Sequence, residues 1–360
     1  MDITTCKPLP KVKYQIDPKF GTVFAPHMLR MHLNLDQTTN FKAEIVPFRS
    51  ELFSPATVVF HYGQAIFEGM KAFVQTDNSV AVFRADLHAK RFAYSSQKMS
   101  MPIIPEDIFL KCIHKYVFFE QESVPPEVNH ALYLRPLMIG RDEIFKVGQS
   151  KLYTFYVLGC IVGNYFPGGA VKAAKVLVNR QFVRAFPGGL GDAKTAANYA
   201  MSLSPQSYAE KLGYNQVLYL DAMEHEWVDE LGGMNFFIVK NGELLTPQLN
   251  GCILNGVTRR SILEYSSHLG IKAREEKLSW TGIRKGIQSG EITEAFACGT
   301  AAVVQPLGEI AFQETTTSPL EKINLPPSYP VSLKILEAVK SLQRGAIKAP
   351  GDWLFHCGPT

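Results

Sequence analysis

Lys194 lies in FVRAFPGGLGDAKTAANYA, residues 182–200, where small side chains surround a single primary amine. A lysine amine ordinarily titrates near ~10.4 and is a poor nucleophile while protonated. To condense with a carbonyl it needs a partly desolvated pocket or a cationic neighbour, and room for a flat partner. Ala193 precedes it, and Thr195, Ala196 and Ala197 follow, so nothing bulky crowds the amine. Gly188, Gly189 and Gly191 allow tight backbone conformations just upstream. Arg184 could offer a guanidinium fork to a phosphate, and Tyr199 a phenol to an oxygen acceptor. A Gly-rich surface turn carrying a solvated lysine is the other reading, and these residues alone leave both open.

Four more segments have chemistry in them. In WVDELGGMNFFIVK, Asp229 and Glu230 are adjacent, so on a strand they point to opposite faces. One of them could sit buried beside a protonated ring nitrogen; the other is expected to be solvated or capping. In LNGCILNGVTRR, a loop with Gly251, Asn255 and Gly256 feeds a helix starting near Val257 or Thr258. Amides and dipole at such an end suit a phosphate. Gly299-Thr300-Ala301 forms a small-residue turn with a hydroxyl and backbone amides, again fit for an anion. Tyr133 and Arg135 are two apart in ALYLRPLMIG, on one face of a strand, where they could line a carboxylate pocket. A surface turn, an ordinary helix opening, a hairpin turn and a half-exposed arginine are the plain alternatives.

The elements that must position these groups alternate irregularly. VAVFR (80–84) reads as a strand, ADLHAKRFAYSSQKM as a helix, and PEDIFLKCIHKYVFFEQES as an amphipathic helix burying Ile108, Cys112, Ile113, Tyr116 and Val117. ALYLRPLMIG and KLYTFYVLGCIV read as buried strands. Residues 1–55, Pro-rich and mixed, read as an N-terminal extension draped on the first domain. NYFPGG marks an interdomain linker at 164–170, separating a small N-terminal domain (1–163) from a larger one (171–360) that carries Lys194. Beyond it come a strand in VKAAKVLVNR, a helix ending at Gly213, a strand in NQVLYLD, and the hairpin NFFIVK-NG-ELLTP with its Asn-Gly turn. A helix closed by Gly270 and the strand-turn-strand EAFACGTAAVVQPL follow. Hairpins without a regular βαβ rhythm predict α+β domains with mixed sheets rather than a doubly wound α/β sheet.

Composition narrows the classes. The chain has 360 residues, 46% hydrophobic and 19% charged, as expected of a soluble two-domain globular protein. A net charge of +4 without a basic run disfavours nucleic acid and suits a small anionic ligand. Six scattered cysteines without a C-x-x-C pair disfavour a zinc site or a disulfide framework, and point to a reducing cytoplasm. The longest apolar run, near TFYVLGCIVG, is about half of a membrane span, so no membrane anchoring is expected.

Together the segments resemble one family. FGTVFAPHML, HYGQAIFEGMKAF, LYLRP, NYFPGG, VRAFPGGLGDAKTAANY, DELGGMN, LNGCILNGVTRR and GTAAVV are similar, in order and spacing, to the branched-chain aminotransferases among fold-type IV pyridoxal phosphate enzymes. The likeness covers about residues 15–355, and the long N-terminal part resembles the subgroup that includes the animal enzymes. It implies a two-domain fold with pyridoxal 5′-phosphate at the domain interface and Lys194 as the Schiff-base lysine and proton carrier. Tyr199 would match the partner of the phenolic oxygen, Glu230 the carboxylate at the ring nitrogen, and Leu254 the side chain packed on the ring. Arg91, Arg184, the amides of Val257 and Thr258, and Thr300 would match the phosphate cup. Phe20, Tyr62, Phe67 and Tyr133 would line the substrate pocket, and Arg135 would read the distal carboxylate of glutamate or 2-oxoglutarate. The Thr300–Ala301 amides would hold the α-carboxylate. Tyr62, Phe145 and Val147 would come from the neighbouring subunit of a homodimer.

Two departures stand out. Animal enzymes carry a C-x-x-C pair after the G-T-A turn, where this chain has Ala302 and Gln305, so thiol regulation of that kind is expected to be absent. Gly233 stands where those enzymes often have Thr. The rivals are a D-amino acid aminotransferase or aminodeoxychorismate lyase of the same fold, a cofactor-pocket protein without catalysis, and a nucleotide-binding module on PGGLGD. The last lacks the G-K-[ST] that a phosphate loop needs.

Overall fold

The computed structural model describes residues 1–14, 18–36, 41–163 and 171–359. The chain forms two compact units. Unit 1 comprises Met1–Gly168, Ala193–Ala197 and Ser341–Thr360, and unit 2 comprises Gly169–Asp192 and Asn198–Lys340.

Unit 1 is built on one sheet. Its strands are β1 (Asp2–Thr5), β2 (Phe24–Asn34), β3 (Lys42–Pro47), β4 (Ala65–Phe67), β5 (Met70–Val74), β6 (Val80–Phe83), β7 (Ala131–Gly140) and β8 (Leu152–Val162), closed by a C-terminal strand, Leu354–His356. The order is β1-β3-β2-β8-β7-β5-β6 and then the C-terminal strand, with β4 also paired to β7. Only β1–β3 is parallel. Three helices accompany it: α1 (Val58–Tyr62), α2 (Ala85–Lys98) and α3 (Glu106–Phe119). Glu106 and Asp107 place negative charge in the first turn of α3, where it complements the helix dipole. The expected face of α3 is buried, with Phe109 added to it.

Residues 1–55 correct the sequence reading. They are no drape: β1, β2 and β3 are integral strands, and β2 pairs with β8 from Met28 to Asn34. Met28, Leu29 and Met31 are buried there. Pro26, His27, Arg30 and His32 interrupt the apolar pattern of β2, which hid the strand.

Unit 2 holds β9 (Ala174–Asn179), β10 (Gln216–Leu220), β11 (Val228–Leu231), β12 (Asn235–Lys240), β13 (Glu243–Pro247), β14 (Ala273–Glu276), β15 (Ile292–Gly299), β16 (Val303–Gln313) and β17 (Glu321–Asn324). Their order is β11-β10-β9-β16-β15-β12-β13-β14, with β17 on β16. β9 runs parallel to both β10 and β16, and β13 parallel to β14. Its helices are α4 (Ala196–Lys211, its first two residues grouped with unit 1), α5 (Val257–Tyr265), α6 (Trp280–Ser289) and α7 (Pro330–Gln343). The β12–β13 turn has Asn241 and Gly242 at φ 49 and 78, the left-handed pair that an Asn-Gly hairpin requires. Glu294 on β15, 2% exposed, accepts from the amides of Val331 and Ser332 and from the Ser332 hydroxyl, fixing the start of α7. The mixed sheets and hairpins agree with the α+β expectation.

The expected domain boundaries fare differently. The linker at 164–170 lies outside the described residues. The C-terminal strand, β18 in chain order, pairs with β6 and so returns to unit 1. Lys194 also belongs to unit 1, because Thr195 bridges to Ile66 of β4. A split into 1–163 and 171–360 missed both, since neither return leaves a local sequence signal. Among the described residues, no helix is long and apolar enough to cross a membrane.

Candidate active site

Unit 1 fixes Lys194 by its backbone. Its N–H donates to Ser95 Oγ of α2 at 2.9 Å, and its carbonyl accepts from Phe67 N at 3.1 Å. Thr195 Oγ1 donates to the Ala65 carbonyl at 2.8 Å. The short β4 and helix α2 therefore hold the lysine between them. Its Nζ lies 4.8 Å from the Phe67 ring centroid. The Arg135 guanidinium lies at the same 4.8 Å from that ring. Arg135 Nη2 donates to Tyr133 Oη at 3.1 Å, and Phe20 meets the Tyr133 ring edge-on with centroids 5.0 Å apart. Phe20, Phe67, Tyr133, Arg135 and Lys194 are thus one connected group, aromatic on its walls with two cations.

Under this group lies a carboxylate that the sequence reading did not single out. Glu68, fully buried, accepts from Arg91 Nε and Nη2 at 2.6 and 2.8 Å, and from His88 Nδ1 at 2.6 Å. Burial opposes its ionisation, but Arg91 and His88 outweigh that and hold its pKa far below the usual carboxylate range. Next to it, Gly69 gives room to Tyr133: a Cβ at position 69 would fall 2.0 Å from the Tyr133 hydroxyl. The only signal was an isolated Glu-Gly inside an apolar run.

Tyr62 ends α1, and His61 lies edge-on to Phe145, centroids 5.0 Å apart. Tyr62, Phe145 and Val147 are exposed, Val147 at 76%. All three lie on the surface of unit 1.

In unit 2, Glu230 on β11 bonds two of the other candidates, Arg184 and Leu254. Glu230 accepts from Arg184 Nη2 at 2.8 Å, from Asn235 Nδ2 at 2.7 Å and from Leu254 N at 3.0 Å. Arg184 therefore bonds the candidate ring-nitrogen carboxylate itself. Asn235, unforeseen, also donates to the Leu254 carbonyl at 2.9 Å. Gly256 opens α5 with no side-chain cap, which leaves the first-turn amides of Val257 and Thr258 to a ligand or solvent. A Cβ at Gly256 would fall 2.0 Å from Asn235 Oδ1, so the residue type keeps the helix start against the Glu230 network. Thr300 and Ala301 form the turn between β15 and β16, and β15 pairs Cys298 with Asn235. Val303, just after that turn, adopts φ 63, a strained conformation for a β-branched residue. Tyr199 sits in the first turns of α4, partly buried.

Asp229 corrects one expectation. It is neither solvated nor capping but 1% exposed, and it accepts from Asn250 Nδ2 at 2.9 Å. Burial raises its pKa against that hydrogen bond. β11 is buried on both faces, so alternation could not send either carboxylate to water. Gly233 has open space where a Cβ would stand.

A family model described as amino-transferase class IV matches residues 65–310. Branched-chain-amino-acid transaminase 1 of Bacillus subtilis (strain 168) is 41% identical over 334 residues, which is 93% of this chain and 92% of the relative. Chains of this length thus occur among bacterial relatives as well. The solved branched-chain aminotransferase of the archaeon Thermoproteus uzoniensis with norvaline has a TM-score of 0.72 at 22% identity, covering 92% of this chain and 99% of that one. The branched-chain amino acid aminotransferase of Thermobaculum terrenum, solved in its PLP-bound holo form, gives 0.71 at 20%, covering 96% and 100%. These two likenesses are of fold.

Proposed function

The chain belongs to the class IV aminotransferases, and from that premise we propose its reaction. It moves the amino group of L-leucine, L-isoleucine or L-valine onto 2-oxoglutarate, in two half-reactions of a ping-pong cycle, with pyridoxal 5′-phosphate as cofactor. The Bacillus relative carries that substrate class in its name, and the Thermobaculum structure holds that cofactor.

One observation supports the substrate reading above others: the Phe67 ring is shared by the Lys194 amine and the Arg135 guanidinium, each 4.8 Å away. Aromatic walls from Phe20, Phe67 and Tyr133 suit a branched apolar side chain. A guanidinium at their edge suits the second carboxylate of glutamate, so one pocket serves both substrates.

The donor set fits the cofactor. Glu230, which accepts from three donors, suits a protonated ring nitrogen, and the uncapped start of α5 suits a phosphate. Bound, the cofactor supplies an electron sink for the charge that develops when the substrate loses its Cα proton. Lys194 Nζ takes that proton and returns one. Glu230 would keep the ring nitrogen protonated, Tyr199 would donate to the phenolic oxygen, and Leu254 would pack on the ring. Arg91, the Val257 and Thr258 amides and Thr300 would hold the phosphate, and the Thr300–Ala301 amides would hold the α-carboxylate. Gly233 offers no hydroxyl at a position where the animal enzymes that the chain resembles often have Thr.

The same reading makes the protein a cytoplasmic homodimer. Exposure of Tyr62, Phe145 and Val147 supports a second copy to which they contribute substrate contacts. Six free cysteines, five of them buried, support a reducing compartment.

A donor panel with 2-oxoglutarate tests the reaction, with single half-reactions followed by the absorbance of the bound cofactor. L-leucine, L-isoleucine and L-valine should convert it. Conversion by D-alanine alone would establish the D-amino acid rival instead.

A further inference from the structure

Arg184 is 4% exposed, and among the described residues its hydrogen bonds leave from one nitrogen, Nη2. That nitrogen lies 2.8 Å from Glu230 Oε1, 3.2 Å from the Gly191 carbonyl, and also donates to the Cys252 carbonyl. Gly191 permits this arrangement. A Cβ there would lie 2.5 Å from both Ala185 Cβ and the Cys252 carbonyl oxygen, so any side chain would push the 184–191 loop away from 252. Among the described residues, Arg184 Nε is buried without a partner. Nη2 is therefore committed to Glu230, the carboxylate that the reading above gives to the ring nitrogen.

We propose that Arg184 is a positioning residue for Glu230, holding that carboxylate ionised and aimed, rather than a ligand of the cofactor phosphate. The inference rests on the pyridoxal phosphate reading above. A buried carboxylate stays charged only when charge or hydrogen bonds offset its lost hydration. Asn235 and the Leu254 amide bring two neutral donors to Glu230; Arg184 brings the cation.

The two roles differ in a way that binding can read. A phosphate ligand discriminates pyridoxal phosphate from phosphate-free pyridoxal, whereas a partner of Glu230 acts on both alike. Apo-protein is titrated with each compound in the wild type and in Arg184→Met, Arg184→Lys, Glu230→Gln and Arg184→Met/Glu230→Gln, with Arg91→Met for comparison. Arg184→Met should weaken both compounds by the same factor, of order tenfold or more. The double variant should be little worse than either single one, as expected of a coupled pair. Arg184→Lys should recover part of the loss, and Arg91→Met should lose mainly the phosphorylated compound. If Arg184→Met does not fold, Arg184→Lys and Glu230→Gln carry the same comparison. A loss in Arg184 variants confined to pyridoxal phosphate, with pyridoxal binding intact, overturns the inference and returns Arg184 to the phosphate. A wild-type chain that binds neither compound overturns the cofactor reading itself.

Discussion

Glu68 grips Arg91 with both carboxylate oxygens, at 2.6 Å to Nε and 2.8 Å to Nη2, while His88 holds Oε2 from the other side at 2.6 Å. Glu68 is wholly buried and Arg91 nearly so, which makes this an internal ion pair. Breaking such a pair leaves a buried charge uncompensated, at about 3–5 kcal/mol. Glu68→Gln should therefore lower unfolding stability by about 3 kcal/mol. It should also weaken cofactor binding, because Arg91 loses the fork that sets its plane. Chemical denaturation and cofactor titration check both; a variant as stable as wild type would show that the pair contributes nothing net.

The same cluster makes stability depend on pH. Burial lowers the pKa of His88 more than Glu68 raises it, so the folded state keeps His88 neutral. A lowered folded pKa means that the unfolded chain binds protons first. The contribution of His88 is then complete above about 6.5 and declines as pH falls from there toward its folded value. That of Glu68 is complete above about 4.3 and declines in more acid solution. Melting temperature should fall in two stages on acidification, and His88→Asn should flatten the first. An unchanged slope between about pH 6.5 and 5 in His88→Asn would remove His88 from the account.

Gly69 and Tyr133 give a test of the pocket edge. In Gly69→Ala the new methyl would meet the Tyr133 hydroxyl at 2.0 Å, so the hydroxyl must move and its bond from Arg135 must lengthen or break. Overpacking of this kind costs about 1–3 kcal/mol. The KM for 2-oxoglutarate should rise more than that for L-leucine if Arg135 reads the distal carboxylate as proposed. Equal changes for both substrates would mean that the Tyr133–Arg135 contact does not select between them.

Much of this architecture could be read in the sequence, for identifiable reasons. The Asn-Gly hairpin, α3 and the strands β7 and β8 carry strong local patterns, and local rules were enough for them. The β2 strand was missed because His27 and Arg30 break its apolar run while long-range partners bury it: His27 bonds Glu120, and Arg30 bonds Glu44 and Glu51. Glu68, His88 and Asn235 were missed for a related reason. Glu68 and Asn235 each bond a residue that was found, Arg91 or Glu230, and His88 bonds Glu68 in turn; only three-dimensional proximity reveals such links. Asp229 shows the reverse: a sound strand rule failed because both faces of β11 are covered.

The cysteines give a last test. Five of the six are buried, and Cys6 alone is partly exposed. Reaction with a disulfide reagent needs both access and thiolate, and burial denies both. It pushes Cys112 and Cys357 up to about 12, and Cys298, beside the Gly299-Thr300-Ala301 turn, higher still. Beyond that turn, Ala302 is a buried apolar residue, and Gln305 donates to the Lys172 carbonyl at 2.6 Å. No thiol stands there to pair with another. Native protein should therefore release about one equivalent of chromophore quickly, from Cys6, and the remainder only on unfolding. Transamination should survive both this labelling and mild oxidation. Activity that falls in step with the first equivalent would mean that a thiol controls the site after all.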